Sequence, residues 1–298
     1  MADKNIIHMV TPTKHVSPFD VNMALDAGYD AALTYTNVTL EEVTGLVQDA
    51  IFSRPPKLGV RTAMFFGGKN ASVALDMLAQ AKKALVPPFA ISLFADPAGS
   101  FTTAAAMVAC VEKILKDRKQ RTLEGLKVAV FGATGVVGFA SAAIAALQGS
   151  DVMLVGYDGI KRVSEAAQEI KRRFSVNVRA ADGSDDGKKA AILAESEAVF
   201  CAGRAGVAIL SRAQLAAAKQ LLIVADVNAV PPSGIEALDM QANGQEMTSH
   251  GTLGLGPLTI GNVKYRSEFR LFQKMIAATK PVQLDFRDAF VLSREING

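Results

Sequence analysis

Short apolar runs alternate with segments of helical periodicity along the second half of the chain. KVAVFG (127–132) is apolar, rich in β-branched residues and ended by glycine, which is typical of a buried strand. DVMLVGY, VNVRA, AVFCAG and QLLIVADVN are further strand candidates, and residues 160–174 have apolar positions on one helical face. Because alternating strands and helices form parallel sheets covered on both faces, we expect a doubly wound α/β domain over residues 122–265.

The first half of the chain shows the same alternation. Its strand candidates are HMVTP, LTYTNVT, TAMFFGG and AISLFAD, and helical patterns cover residues 19–27, 40–52, 71–85 and 102–117. The polar run KDRKQRTLEG (116–125) then marks a boundary, and one more helix is predicted over residues 265–279. We expect an N-terminal α/β domain over residues 1–121, onto which residues 266–298 can pack back, and an active site in the interdomain cleft.

Composition and charge narrow the class of protein. Hydrophobic residues make up 50% and charged residues 20% of the 298 residues, as in a folded globular chain. The 32 basic and 29 acidic residues are scattered and leave a net charge of +3, so we expect no nucleic-acid partner. No apolar run reaches the ~20 residues of a membrane helix, and the N-terminus does not resemble a signal peptide. These features predict no membrane partner and a cytoplasmic location.

Cysteine and histidine usage indicates neither a redox nor a metal site. Cys110 and Cys201 lie in apolar segments, which favours buried free thiols, although a disulfide between them stays open. No spacing of His, Cys and carboxylate residues is typical of metal ligands, so we expect no metal. Several Ala- and Met-rich apolar segments leave room for a subunit interface and favour a homo-oligomer.

Three spaced glycines follow the first strand of the second half directly and precede a helix. This G-x-x-G-x-x-G context, strand then turn then helix, is typical of a Rossmann dinucleotide-binding domain. Glycine lets the backbone approach a pyrophosphate closely, and the helix N-terminus offers free N–H groups to that anion. The predicted cofactor contacts in this segment are Gly132, Ala133, Thr134, Gly135, Val136, Val137 and Gly138.

The end of the second strand bears on the choice between NAD and NADP. Asp158 lies 20 residues after Gly138, where an acidic residue usually meets the adenosine ribose, and this favours NAD. Lys161 and Arg162 follow at once, and either could pair with the extra phosphate of NADP. The sequence therefore permits NAD, or NAD and NADP together. A solvated first helical turn explains the same residues equally well.

Later strand ends point to the same edge of the sheet. Ala202 and Gly203 follow the fourth strand, and Asp226 and Asn228 follow the fifth. Because ligands of open α/β sheets bind at the carboxyl edge, we expect these four residues near the nicotinamide ribose and carboxamide. GTLGLGPLTIG (251–261) reads as a second glycine-rich loop that folds over the nicotinamide, with Gly254 as a contact, or as a plain surface loop.

Four strings resemble one known family. SPFDVNMALDAGYDAALTYTNVT, FADPAGSFTTAAA, AVFGATGVVGFASA and IVADVNAVPPSGI look like the bacterial NAD(P)-dependent methylene-tetrahydromethanopterin dehydrogenases, in the same order and over nearly the whole chain. The resemblance implies hydride transfer from a methylene-bearing pterin to NAD(P), within the oxidation of one-carbon units such as formaldehyde. The strictly NADP-dependent branch has Arg after the glycine that ends the second strand. Tyr157 stands there in this chain, so the chain resembles the branch that accepts both cofactors.

The resemblance also implies which residues meet the substrate. Phe19 and Asp20 match the family's FDV segment, in which the aromatic ring is expected to pack on the pterin. Lys264 is the nearest match to a lysine that the family places at the reacting centre. Expected contacts to the pterin come from the ends of two further strands, and they are Asn37, Asp96, Gly99, Ser100, Thr102 and Thr103. Helix capping is the competing interpretation of the last five.

Two other interpretations stay open from the residues alone. One is a dehydrogenase of the methylene-tetrahydrofolate or shikimate type, which shares the two-domain layout. Tetrahydrofolate activity is associated with the NADP-only branch, and no lysine–aspartate pair for proton transfer stands out. The other is a non-catalytic sensor that binds NAD(P) and turns nothing over. The polar segment from Asp96 to Thr103 argues against the sensor.

Overall fold

The computed structural model describes residues 3–298. Within that range the chain forms twelve strands: β1 Ile6–Val10, β2 Ala31–Tyr35, β3 Thr62–Phe66, β4 Ser92–Ala95, β5 Lys127–Phe131, β6 Asp151–Gly156, β7 Arg179–Asp182, β8 Ala198–Cys201, β9 Ile223–Asp226, β10 Asn243–Glu246, β11 Leu253–Leu255 and β12 Gln283–Leu284. It also forms ten α-helices: α1 Pro18–Asp26, α2 Val43–Phe52, α3 Ala71–Ala84, α4 Ser100–Lys119, α5 Val136–Leu147, α6 Lys161–Phe174, α7 Asp186–Glu195, α8 Arg212–Ala217, α9 Pro257–Ala277 and α10 Phe286–Asn297.

The chain divides into two compact units. The first runs up to Thr102 and includes Tyr265–Leu292, and the second comprises Thr103–Lys264 and Ser293–Gly298. The predicted boundary at 121/122 differs from this division because all but the first three residues of α4 belong to the second unit. The end of the chain also differs from the expectation, since its last six residues belong to the second unit.

The first unit contains a five-stranded sheet of order β12-β4-β3-β1-β2. All of its strand pairs are parallel. Strand β3 is buried at every position, which explains its continuous apolar sequence TAMFF. Phe65, Phe94 and Phe272 meet at centroid distances of 5.4–5.7 Å and form the aromatic centre of this core. The loops that follow β1 to β4 therefore share one carboxyl edge.

The second unit contains a seven-stranded sheet of order β10-β11-β9-β8-β5-β6-β7. Its pairs are parallel apart from β10, which runs antiparallel to β11. The chain starts in the middle at β5, moves outward to β6 and β7, and then crosses to β8 on the other side. The order therefore reverses between β5 and β8, which is where doubly wound sheets bind ligands. The predicted α/β fold with a doubly wound Rossmann unit is confirmed.

One long segment combines length with apolar composition. Pro97–Lys119 could cross a membrane by those two criteria, but 72% of its most apolar window is buried inside the protein. Core helices of folded domains have the same property.

Candidate functional site

Two positions after β5 accept only glycine: Gly132 in the first turn and Gly138 in the first turn of α5. Gly132 has φ +77°, and a Cβ there would lie 2.2 Å from the carbonyl oxygen of Ala202. A Cβ on Gly138 would lie 2.4 Å from the carbonyl oxygen of Gly132. Both distances are far below van der Waals contact. The two glycines therefore let the turn lie against the loop after β8 and let α5 start directly on the turn.

The start of α5 presents backbone donors at the carboxyl edge. Gly135 is the N-cap, and no side chain caps the helix. The first N–H groups of any helix lack a partner within it, so those of α5 can serve an anion. Thr134 and Gly135 are exposed, Val136 and Val137 are half-buried, and Ala133 is buried. The predicted pyrophosphate contacts are thus available through the backbone.

Arg162 connects the glycine turn to the end of β6. Its guanidinium donates to Asp158 Oδ2 at 3.1 Å, to the Tyr157 hydroxyl at 3.2 Å and to Thr134 Oγ1 at 3.3 Å. It also lies over the Tyr157 ring, 5.9 Å from the centroid. These contacts raise the pKa of Arg162, chiefly through the hydrogen bond to Asp158. Lys161 beside it is exposed. A carboxylate that can accept from a diol, Asp158, therefore lies at the end of β6 beside two cations that can bind a phosphate, Arg162 and Lys161.

Two predicted cofactor contacts have their side chains occupied within the protein. Asp226 is fully buried and accepts from the backbone N–H of Asn228 at 2.9 Å and of Ile235 at 3.1 Å. Burial raises the pKa of Asp226, although these N–H donors oppose the shift. Asn228 in turn accepts from Val230 N at 2.9 Å and donates to the Pro232 carbonyl at 3.0 Å. Both side chains hold the loop after β9, and direct contact with a cofactor stays a prediction.

The residues after β8 are half-buried and closely packed. Ala202 lies against the glycine turn, and a Cβ on Gly203 would lie 2.0 Å from Ile209 Cδ1. Both residues thus lie at the carboxyl edge, as expected.

The predicted second glycine-rich loop is wrong. Leu253–Leu255 form β11 within the sheet, and α9 begins at Pro257. Gly254 pairs with Val224 of β9, and a Cβ on it would lie 2.7 Å from Leu238 Cδ1. Gly254 is therefore required by strand packing, because two side chains press against its face.

The carboxyl edge of the first unit carries Asp96 after β4. Asp96 is fully buried, and its Oδ1 accepts from Phe101 N at 2.7 Å while its Oδ2 accepts from the Thr102 hydroxyl at 2.6 Å. The carboxylate therefore caps α4, which is the competing interpretation of the sequence. Thr102 is buried too, as is Gly99, whereas Ser100 and Thr103 are half-buried. Contact of this segment with a pterin stays a prediction.

Asn37 lies at the same edge, after β2. It is exposed, has φ +55°, and its N–H donates to the Thr13 carbonyl at 3.0 Å. Because β3 and β1 lie between β4 and β2, three strand spacings separate Asn37 from Asp96, or about 14 Å. The two residues cannot bind one small group but can flank an extended ligand.

An exposed aromatic pair stands beside that edge. Phe19, in the first turn of α1, meets Tyr265 of α9 edge-to-face with ring centroids 6.4 Å apart. Phe19 is 44% and Tyr265 47% exposed, so both residues are partly accessible to solvent. Asp20 beside Phe19 is buried at the start of α1, where a negative charge is favourable. Tyr265 was not among the site residues predicted from the sequence, where its position next to Lys264 was its one distinguishing signal.

Lys264 is half-buried and belongs to helix α9, one residue before Tyr265. It therefore has a fixed helical position rather than a place in a loop, and its role at a reacting centre stays a prediction.

Other candidate chemistry is limited in the part of the chain from residue 3 onward. Cys110 and Cys201 are both free and buried, as expected. No group of three or more His, Cys, Asp or Glu side chains in that range could hold a metal ion.

Comparisons with known proteins point to one family. A family model described as methylene-tetrahydromethanopterin dehydrogenase, N-terminal, matches residues 18–98. The NAD(P)-dependent methylenetetrahydromethanopterin dehydrogenase of Methylorubrum extorquens is 50% identical over 295 residues, 99% of each chain. The bifunctional protein MdtA of the same organism is 34% identical over 280 residues, 94% of each chain.

Solved structures with the same fold are distant in sequence. An NAD-dependent malic enzyme from Thermotoga maritima has a TM-score of 0.58 at 13% identity, covering 97% of this chain and 84% of its own. A shikimate 5-dehydrogenase from Listeria monocytogenes has a TM-score of 0.50 at 16% identity, covering 99% and 96%. At such identities the likeness shows the fold alone.

Proposed function

The chain belongs to the family of NAD(P)-dependent methylenetetrahydromethanopterin dehydrogenases, and we propose that it transfers a hydride from 5,10-methylene-tetrahydromethanopterin to NAD⁺ or NADP⁺. The product is the methenyl form of the pterin, within the oxidation of one-carbon units. The observation that carries the proposal is the relative that is 50% identical along 99% of both chains. The distant likeness to shikimate dehydrogenase concerns the fold and favours no second activity.

The second unit fits the proposed dinucleotide. A Cβ on Gly132 or Gly138 would collide with backbone, so the turn leaves the N-terminus of α5 open to a pyrophosphate. Asp158 can accept from a ribose diol, and Arg162 and Lys161 can meet a 2′-phosphate. When bound, the nicotinamide ring supplies the hydride acceptor.

The proposed reaction requires alignment of the pterin with the nicotinamide ring and no proton transfer from the reacting carbon. The reacting carbon of the methylene pterin lies between two nitrogens, whose lone pairs expel the hydride and stabilise the resulting cation. No proton leaves that carbon, so the chain needs no general base. What its residues must do is hold the pterin in one orientation. A carboxylate near the cation, for which Asp20 is our candidate, would stabilise it further.

The carboxyl edge of the first unit supplies the surfaces for that orientation. We assign Phe19 to the face of the pterin. Lys264, which belongs to the second unit, is assigned to the reacting centre. Asn37 and the segment from Asp96 to Thr103 are assigned to its polar rim. In that segment we assign the contacts to the backbone and to the half-buried residues Ser100 and Thr103, because the Asp96 oxygens accept hydrogen bonds from Phe101 and Thr102 of the protein itself.

The test is direct. Purified protein is mixed with methylene-tetrahydromethanopterin and either NAD⁺ or NADP⁺, and the absorbance of the reduced nicotinamide is followed. Reduction of both cofactors is expected. Reduction of NADP⁺ alone would remove the role given to Asp158, and cofactor binding without reduction would point to another substrate or to a sensor.

The setting of the enzyme is part of the proposal. Scattered charge and a long apolar helix that is mostly buried support a cytoplasmic protein without a nucleic-acid or membrane partner. A homo-oligomer is expected, and light scattering after size exclusion measures it.

A further inference from the structure

Asp226 is a fully buried carboxylate of the Rossmann unit, and the chemistry proposed above gives it no role. One oxygen accepts from Asn228 N and the other from Ile235 N, so the carboxylate ties together both ends of the loop 227–235. The buried thiol of Cys201, at the end of β8, lies on the same side of Gly234 as this carboxylate, so the ends of β8 and β9 are packed together here.

The space around this carboxylate is filled to contact. A Cβ on Gly234 would lie 2.7 Å from Cys201 Sγ and 3.0–3.1 Å from the two Asp226 oxygens. A side chain at position 234 cannot fit there unless the loop moves, and Asp226 itself has no exposed surface. Asp226 therefore acts on anything outside it only through the shape of loop 227–235.

That loop is fastened to its neighbour as well. Asn228 Oδ1 accepts from Gly206 N at 3.4 Å, and the Gly234 carbonyl accepts from Ile209 N at 2.8 Å. The loops after β8 and β9 thus form one body. Their solvent side carries Val207 and Val230, which are 44% and 54% exposed.

The strand order indicates which part of a dinucleotide the joined loops after β8 and β9 would face. By the rule for doubly wound sheets, a pyrophosphate would lie at the glycine turn after β5, and the adenosine would lie toward β6, where Asp158 stands. The nicotinamide half would then lie over the ends of β8 and β9, on the other side of β5. We infer that Asp226 is a positioning residue for the nicotinamide half of the cofactor, acting through the fused loops after β8 and β9. The inference rests on the proposed use of NAD(P), but not on the pterin.

The experiment compares a whole cofactor with its adenosine half. Calorimetric titration of the full chain with NAD⁺, NADP⁺ and ADP gives three dissociation constants for each variant. Asp226→Asn places an N–H donor opposite a backbone N–H, and we expect about tenfold weaker binding of NAD⁺ and of NADP⁺. Binding of ADP, which lacks the nicotinamide half, should stay within about twofold of the wild type.

Two further variants complete the design. Asn228→Ala leaves the carboxylate intact but removes the link to Gly206, and it should weaken both cofactors and spare ADP in the same way. It carries the test if Asp226→Asn does not fold. Asp151→Asn makes the same chemical change at the start of β6, on the opposite edge of the sheet, and should alter none of the three constants.

Equal weakening of NAD⁺ and ADP, or no weakening of either, would overturn the inference, because a purely structural carboxylate has no reason to separate the two halves. It would also fall if wild-type protein bound NAD⁺ no more tightly than ADP. If the cofactors bind as expected but the pterin assay shows no reduction, the proposed substrate fails and this inference stands.

Discussion

Replacing Gly138 by alanine tests whether the glycine turn is built for close approach. Gly138 is the third residue of α5 and is buried. A Cβ there would lie 2.4 Å from the Gly132 carbonyl oxygen and 2.8 Å from Ala133 Cα. Both neighbours are backbone atoms, so no side chain can turn aside to make room.

The size of the effect follows from that geometry. Ordinary contact begins near 3.4 Å, so the start of α5 and the turn must separate by about 1 Å. Crowding of this kind costs about 1–3 kcal/mol of stability. A displacement of about 1 Å also moves the N–H groups of α5 away from a bound pyrophosphate, and we expect about a hundredfold loss in affinity for NAD⁺ and NADP⁺ alike.

Calorimetry with both cofactors and a thermal unfolding curve measure the two effects. Gly45→Ala is the matched control, because Gly45 is exposed within α2 and nothing lies within 4 Å of its added Cβ. Alanine there should raise stability by about 0.5–1 kcal/mol and leave binding unchanged. Wild-type affinity in Gly138→Ala, with an unchanged melting temperature, would refute the argument from close approach.

Three further outcomes are expected. Arg162→Gln should lower kcat/KM for NADP⁺ more than about tenfold and leave NAD⁺ nearly unchanged, because only NADP⁺ carries the 2′-phosphate; equal losses would contradict this. Tyr265→Leu removes the ring beside Phe19 and should raise KM for the pterin several-fold in steady-state kinetics. Phe52→Leu changes an exposed ring on the amino side of the same unit and should leave this KM unchanged. Hydrogen bonds from Arg172 and Arg173 hold the pKa of Glu169 at about 2. Its contribution to stability is therefore complete above the unfolded pKa near 4.5 and is lost as the pH falls toward 2. In Glu169→Gln, the free energy of unfolding should depend less steeply on pH in that window.

Secondary structure was predictable from sequence where all local signals favour the same element. β5 is a continuous apolar run that begins at Lys127 as predicted and ends directly before Gly132, which has φ +77°. The helix predicted over residues 265–279 instead begins at Pro257, eight residues earlier. Its first turns contain Gly261, which lies on the exposed face of the helix. Glycine there suggested a loop, whereas tertiary packing kept the helix intact.

The glycine-rich segment 251–261 shows why spacing alone misleads. Gly251 has φ +85° and makes a turn, whereas Gly254 leaves room for Leu238 and Met247 against a strand. A Cβ on Gly256 would lie 2.3 Å from the Asp239 carbonyl oxygen, so this glycine allows a close backbone approach. One residue type therefore serves several physical needs in eleven residues. Only the three-dimensional neighbours distinguish them.

The side chains of the candidate sites fall into a buried group and an exposed group, and this division suits the proposed chemistry. Asp96 and Asp226 were expected to meet ligands, yet both are fully buried and accept from backbone N–H groups of their own loops. The predicted contacts Phe19 and Arg162 are instead exposed, as is Tyr265, which was not predicted. A reaction that needs no proton transfer gains from rigid loops, because alignment is its main requirement. Substitutions at the exposed residues should therefore change which ligand the protein prefers. Substitutions at Asp96 or Asp226 should instead weaken the binding of every ligand that contacts the loop held by that carboxylate.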